Sequence, residues 1–116
     1  MLHMDTPAKD PDPMDAVFSA LADATRRAML DRLRDRPGQT LGELTDRLGM
    51  RRQSATRHLK VLESAGLVVV HWRGREKLHY LNPVPIAELQ RRWIDKFSAA
   101  KTKALTDLKH QLEEDS

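Results

Sequence analysis

The fold is decided by residues 40–68, which read TLGELTDRLGMRRQSATRHLKVLESAGLV. This stretch begins with Thr40, a residue type that caps helix N-termini, and soon reaches Gly49, a residue type that ends helices in the left-handed conformation. Between these two residues, leucines recur at the spacing of one helix face: Leu41, Leu44 and Leu48. The pattern predicts a short helix with a stop signal at each end.

A second helix is predicted after a short turn, from Arg52 to Ala65, with Gly66 as its stop. At 100° per residue, Ala55, Leu59 and Leu62 fall within about 60° of one another and form its inward face. The far side is polar and basic: Gln53, Arg57, Lys60 and Ser64, with Arg52 and Thr56 on one flank. Two such helices joined by a glycine-containing turn form a helix-turn-helix, in which the second helix reads DNA.

The residues that follow predict a β-hairpin. Residues 67–73 (LVVVHWR) are β-branched and aromatic, residues 76–81 (EKLHYL) alternate, and Gly74 with Arg75 can form a two-residue turn. The tip then presents three cations: Arg73, Arg75 and Lys77. A helix-turn-helix followed by a basic hairpin is a winged helix, whose wing reaches the DNA backbone or the minor groove.

Two further helices are predicted before this motif. Residues 1–13 contain three prolines and little to bury, so we expect a flexible tail. The first helix starts at Met14. Asp23 caps a second helix from Ala24 to about Asp35, and Pro37-Gly38 ends it. Its predicted inward residues are Met29, Leu30 and Leu33.

The C-terminal residues 83–116 contain neither glycine nor proline after Pro85, and their apolar residues recur in steps of three and four. This predicts one long helix of about 40 Å, too long to bury its apolar stripe on so small a body. Pairing with a second copy would cover it, so we divide the chain into the tail, a winged-helix core over 14–82 and a dimerisation helix over 83–116.

Trp72 is expected to cover the core or the dimer interface. The expected interface residues are Val17, Phe18, Leu21, Leu89, Trp93, Phe97, Ala100, Ala104 and Leu108.

Composition narrows the function. The 116 residues are enough for one domain, and the basic excess is local, because residues 37–82 hold 8 basic against 4 acidic residues. A local excess favours a polyanionic partner. The absence of cysteine excludes disulfides and thiolate metal sites. No stretch is long and apolar enough to cross a membrane and no signal peptide is recognisable, so we expect a cytoplasmic protein. No enzyme motif is found, and no enzyme or cofactor is predicted.

Three segments together resemble the ArsR-type (arsenical-repressor) winged-helix transcriptional repressors: FSALADATRRAMLDRL, TLGELTDRLGMRRQSATRHLKVLESAGLV and RGREKLHYLNP. The resemblance implies a homodimer that occupies operator DNA and blocks transcription. It places the recognition helix at Arg52–Leu62 and the wing at Arg73–Tyr80. The expected DNA-contacting residues are Thr40, Arg51, Arg52, Gln53, Ser54, Thr56, Arg57, Lys60, Arg73, Arg75 and Lys77.

The chain also departs from this family. The cysteines that many relatives use as a metal sensor are replaced by Thr40 and Gly42. Of the zinc ligands that other relatives carry on the last helix, only His110 and Glu113 have counterparts. We expect this pair to be solvated surface, and DNA binding not to depend on metal. Arg51 replaces a frequent capping serine, which leaves the start of the recognition helix open by one residue.

The sequence therefore predicts a mainly α fold with a small β-hairpin: a dimeric winged helix-turn-helix of about five helices and a two-stranded wing. The predicted function is a homodimeric repressor that binds double-stranded DNA at a palindromic operator, and the resemblance implies its own promoter as a candidate site. Two alternatives stay open: a winged helix that binds an acidic protein partner, and a sensor repressor that responds to a metal or to a small-molecule inducer.

Overall fold

The computed structural model describes residues 12–97 and 99–115. Six α-helices and two strands follow one another: α1 (Pro13–Leu21), α2 (Ala24–Asp35), α3 (Leu41–Leu48), α4 (Arg52–Ser64), β1 (Val68–Arg73), β2 (Glu76–Leu81), α5 (Val84–Arg92) and α6 (Ala99–Glu114). This confirms a mainly helical winged helix-turn-helix. Most of the predicted tail lies outside the described residues, but its last two residues belong to α1, where Asp12 is the N-cap and Pro13 the first helical residue.

The predicted caps determine where the central helices begin. The Asp23 carboxylate accepts a hydrogen bond from the Arg26 N–H at 3.0 Å, which lowers the pKa of Asp23 and starts α2. Thr40 and Glu43 form a reciprocal capping box at the start of α3. α4 begins at Arg52, as predicted, although its N-cap Arg51 makes no side-chain capping bond. The start of the recognition helix, and with it the direction of every side chain, therefore agrees with the sequence pattern.

One apolar core holds the first four helices and the hairpin together. All six residues predicted to face inward on α2 and α4 are buried, and α1 contributes further apolar side chains. The core residues with the least exposed surface are Ala20, Met29, Leu33, Leu44, Ala55, Leu62 and Leu67. Because α4 packs with one face into this core, its opposite face is directed outward.

The wing is an antiparallel hairpin whose outermost pair is Arg73 and Glu76. Gly74 has φ +62° and Arg75 does not have a positive φ, as in a two-residue turn that needs glycine first. At its base, β2 pairs with Gln39 through reciprocal backbone bonds, and the His79 Nδ1 lies 2.8 Å from the Gln39 carbonyl oxygen. These buried polar contacts join the wing to the segment before α3.

The prediction of one uninterrupted C-terminal helix is wrong. α5 ends at Arg92, a 3₁₀ turn covers Ile94–Lys96, and α6 starts at Ala99. The residues at the break include aromatic, β-branched and short polar types, which lose side-chain entropy in a helix or compete for its hydrogen bonds: Trp93, Ile94, Asp95 and Phe97. Trp93 and Phe97 instead meet edge to face, with ring centroids 5.1 Å apart. The break therefore needs neither glycine nor proline.

The chain forms two compact units, which divide between Pro85 and Ile86, and α5 crosses this division. The predicted domain limits at residues 14–82 and 83–116 stay predictions. None of the helices in the described ranges combines the length and the apolar content needed to cross a bilayer.

Arg26 connects three helices, and sequence patterns did not reveal it. Its guanidinium donates to the carbonyl oxygens of Ser19 and Ala20 at the end of α1, at 3.0 and 2.8 Å. Its Nη1 also lies 3.3 Å from the Nδ1 of His58, on the buried flank of α4. The side chain is 16% exposed, so water screens these bonds little. Arg26 thus holds α4 against the first two helices.

We predict that Arg26→Met lowers the free energy of unfolding by about 1.5–3 kcal/mol, because it removes charge-assisted bonds in a half-buried place while keeping the length of the side chain. Arg27→Met is the matched control, since Arg27 is exposed and, within the described part of the chain, donates only to the Leu21 carbonyl oxygen; it should cost less than about 1 kcal/mol. Urea denaturation measures both. Equal losses for the two variants would contradict the role given to Arg26.

Candidate nucleic-acid interface

The outer face of α4 carries most of the predicted DNA-contacting residues. Their side chains are exposed, whereas Ser54 is half-buried beside the core. The exposed members are Arg51, Arg52, Gln53, Thr56, Arg57 and Lys60. We call this set the reading face. Its members project together because Ala55, Leu59 and Leu62 anchor the opposite side of the helix.

The cations of the reading face have no ion pairs among residues 12–97 and 99–115. Within the part of the chain that the structure describes, no carboxylate lies within 4.0 Å of a charged nitrogen of Arg51, Arg52, Arg57 or Lys60. Unpaired cations on one face create a positive potential that attracts polyanions. Four of the eight basic residues of the segment 37–82 therefore lie on one exposed helix face.

The wing carries the other predicted cations, and two of them are already paired. Arg73 contacts Glu76 at 3.3 Å across the end of the hairpin. Lys77 lies 3.9 Å from Glu63 of α4 and so connects the wing to the helix. Arg75, at the turn, is exposed and has no ion pair among the described residues. It is the wing cation with the most freedom to meet an anion.

Thr40 occupies a different position from the other predicted contacts. Its hydroxyl accepts from the Glu43 N–H at 3.2 Å and lies 3.1 Å from the Glu43 carboxylate. The Thr40 N–H and hydroxyl both donate to the Glu43 carboxylate, at 3.0 and 3.1 Å, and these two bonds lower the pKa of Glu43. The hydroxyl is thereby committed to the cap of α3. A DNA contact by Thr40 would compete with this capping box.

A groove of about 480 Å³ lies between α4, the start of α3 and the wing. Apolar atoms of Leu41, Leu59 and Trp72 form part of its lining, together with cations from α4 and the wing. Trp72 is 60% exposed, so it does not cover the core of the single chain, and its expected place in the dimer interface stays a prediction. It shares a strand face with Val68 and Val70, but it lies near the hairpin tip, beyond the core.

The structure places the predicted interface residues in two groups. Val17 and Leu89 are buried in the single chain, with 3% and 5% of their surface exposed, and have little left for a partner. Phe18 of α1 is 39% exposed. In residues 86–115, exposed apolar side chains include the predicted Trp93, Phe97 and Leu108, and two that were not predicted, Leu105 and Leu112.

The weak metal candidates lie one turn apart on α6, where both His110 and Glu113 are exposed. Across residues 12–97 and 99–115, no cluster of three or more histidine, aspartate or glutamate side chains is placed to hold a metal ion. Metal independence remains a prediction from the sequence.

Comparison with known proteins agrees with this geometry. A helix-turn-helix domain family matches residues 21–71. An uncharacterised HTH-type transcriptional regulator of Bacillus subtilis, YuzN, is 42% identical over 87 residues, which are 70% of this chain and 95% of that protein. The structure of an ArsR-like transcriptional regulator from Rhodococcus sp. RHA1 is 30% identical, with a TM-score of 0.68 over 84% of this chain and 91% of the other.

A third similarity concerns the fold alone. The homodimeric winged helix-turn-helix DNA-binding domain of a Mycobacterium bovis protein is 22% identical, with a TM-score of 0.60 over 80% of this chain and 94% of that domain. The arrangement of helices and wing is therefore shared by proteins whose sequences have diverged widely.

The geometry predicts different roles for Arg57 and Arg75. Arg57 projects from the middle of the reading face, where it can pair with guanine, and Arg57→Ala should cost about 1–3 kcal/mol on a preferred DNA sequence and less on random DNA. Arg75 lies on a turn and can meet a phosphate, so Arg75→Ala should weaken both DNAs equally and lower the salt slope by about one.

Titrations of labelled duplexes over a range of salt measure both effects. Lys109→Ala is the control, because it removes one positive charge from α6, in the other compact unit. An equal loss for Arg57→Ala on preferred and random DNA would make Arg57 a backbone contact and would contradict the assigned reading face.

Proposed function

The chain belongs to the ArsR family of winged helix-turn-helix transcriptional regulators, and on this premise we propose that it is a homodimeric repressor that occupies a palindromic operator in the cytoplasm. DNA binding and transcriptional regulation follow from the family. Three parts are our proposal: dimerisation, palindromic recognition and repression by occupancy.

The observation that carries the proposal is the unpaired charge of the reading face. One side of α4 is buried in the core, and the other side exposes three cations: Arg52, Arg57 and Lys60. A helix of this width fits the major groove of B-DNA, where arginine and glutamine side chains distinguish base pairs by their hydrogen-bonding edges. Gln53, on the same face, adds a side chain that can pair with adenine.

Dimerisation is supported by exposed apolar surface. On α6, Ala100, Ala104, Leu108 and Leu112 follow one another in steps of four and leave an unpartnered stripe, to which Leu105 belongs. Such a stripe is covered most simply by the same helix of a second copy, related by a two-fold axis. The Mycobacterium bovis domain with the same fold is homodimeric. A two-fold dimer presents two reading faces, which favours a palindromic site.

Repression by occupancy would follow from this binding. A dimer on two half-sites covers at least about one helical turn of DNA, and a promoter covered in this way is closed to polymerase. A regulator that turns transcription on would instead need the bound dimer to contact polymerase. A reporter gene placed behind the bound sequence distinguishes the two, since repression lowers its expression when the protein is present.

Selection from a random duplex library of about 30 base pairs tests the function, with the full chain as bait. We expect enrichment of a palindromic sequence that binds at least about 1,000-fold more tightly than random duplex. The same selection distinguishes a DNA-binding face from a face that binds an acidic protein, because a face of the second kind has no preference among DNA sequences. Unchanged sequence composition after repeated rounds would refute sequence-specific DNA binding.

The dimer makes its own prediction. Leu108→Lys places a charge in the apolar stripe of α6 and should convert the dimer to monomer, because an unpaired buried charge costs several kcal/mol. Thr106→Lys is the matched control. Thr106 points away from the stripe, and its hydroxyl donates a hydrogen bond to the Thr102 carbonyl oxygen of the same helix. Sedimentation equilibrium at micromolar concentration measures both. A stable Leu108→Lys dimer would contradict the proposed interface.

A further inference from the structure

The groove between α4 and the wing has a position that constrains what it can meet. The inference rests on the proposed function, in which α4 lies in the major groove and Arg75 at the wing tip reaches the adjacent backbone or minor groove. Neighbouring major and minor grooves are separated by one sugar-phosphate strand. Any surface between a helix in one groove and a loop at the other must therefore face that strand.

The lining of the groove has the chemistry of such a strand. One wall is α4, which contributes the cations Arg52 and Lys60, neither of them in an ion pair within the described residues. The other wall is the wing, where Trp72 pairs across the hairpin with Lys77. A nucleotide backbone alternates anionic phosphates with deoxyribose rings that present C–H groups. Cations bind the phosphates, and a flat apolar surface is needed for the sugars.

The exposure of Trp72 is the unusual observation. Tryptophan buries a large apolar area when it can, and at 60% exposure most of this side chain remains in water in the free protein. Tryptophan is enriched where one surface binds another, and an aromatic residue inside a basic surface is typical of nucleic-acid-binding sites. The indole therefore has contact area that only a partner can cover.

We propose that this groove is a subsite for the DNA backbone, in which a deoxyribose packs on the Trp72 indole and the neighbouring phosphates bind Arg52 and Lys60. Trp72 is a positioning residue: it fixes the distance between the reading helix and the wing on the DNA without reading a base. Its contribution is independent of sequence and of salt, because an apolar contact releases no counterions.

Two carboxylates also line the groove, and each lies close to a cation of the wing. Glu76 is held by Arg73 at 3.3 Å and Glu63 lies 3.9 Å from Lys77. Both pairs lie on the wing side or toward the end of α4, away from Arg52 at its start. Each carboxylate is therefore matched by a cation of the wing, and Arg52 and Lys60 remain available for the phosphates.

Fluorine NMR of the full chain tests the subsite directly. The protein has two tryptophans, so 5-fluorotryptophan labelling gives two resonances, and Trp72→Phe identifies that of Trp72. The probe is a random-sequence duplex of about 30 base pairs, since a backbone contact needs no operator. On DNA saturation, the Trp72 resonance should shift, and its broadening by a soluble gadolinium chelate should fall at least about twofold as the indole leaves solvent.

A fluorescence-anisotropy titration of the labelled duplex runs in parallel and separates the two failures. If the duplex binds while the Trp72 resonance keeps its shift and its broadening, the subsite is wrong and the proposed function stands. If the duplex does not bind at any salt concentration, both are overturned.

Affinity measurements add a second test. Trp72→Ala should weaken preferred and random duplexes alike by about tenfold with an unchanged salt slope, and Trp72→Phe, which keeps an aromatic face, by less than about threefold. Lys60→Ala differs in kind, because it should lower the salt slope by about one. Circular dichroism confirms that each variant is folded. A Trp72→Ala affinity within about twofold of the original chain would overturn the proposal.

Discussion

The position of α4 is the constraint on which the rest of the structure depends, and Arg26 shows how it is met. The apolar residues of α4 provide burial energy and determine which face points inward, but individual apolar contacts have little direction. Hydrogen bonds from one guanidinium to the end of α1 and to His58 have defined geometry. They relate the orientation of the reading helix to the first two helices.

The two faces of α4 differ in their chemistry. The inward side of α4 is apolar apart from His58, whose Nδ1 lies 3.3 Å from the Arg26 guanidinium. The outward side carries cations without ion pairs among the described residues, and the wing adds Arg75. Lys77 and Glu63 connect the two parts across the groove. Because the described residues leave this charge unpaired, its electrostatic attraction remains available for a polyanion.

The sequence predicts α1 to α4 and the wing well, because these elements depend on local signals. Asp23 and Thr40 cap the helices they precede, leucines repeat at helical spacing, and Gly74 permits the tight turn. The sequence pattern does not reveal the C-terminal break, because the absence of glycine and proline indicates a continuous helix, whereas weak helix formers around Trp93 interrupt it. Local pattern also cannot show that Arg26 meets His58 or that Gln39 meets His79, since 32 and 40 residues separate these pairs.

Trp72 combines a local signal from the sequence with a position that only the folded hairpin determines. Its residue type predicts burial, and only the length of the hairpin places it beyond the core. The central claim of this account is that α4 lies in the major groove, and dimethyl sulfate footprinting tests it most directly, because the reagent methylates guanine N7 in that groove. With the full chain bound to its selected duplex, we expect protected guanines in two symmetric half-sites about one helical turn, or a multiple of it, apart. Unchanged N7 reactivity on a duplex shown to be saturated would contradict it.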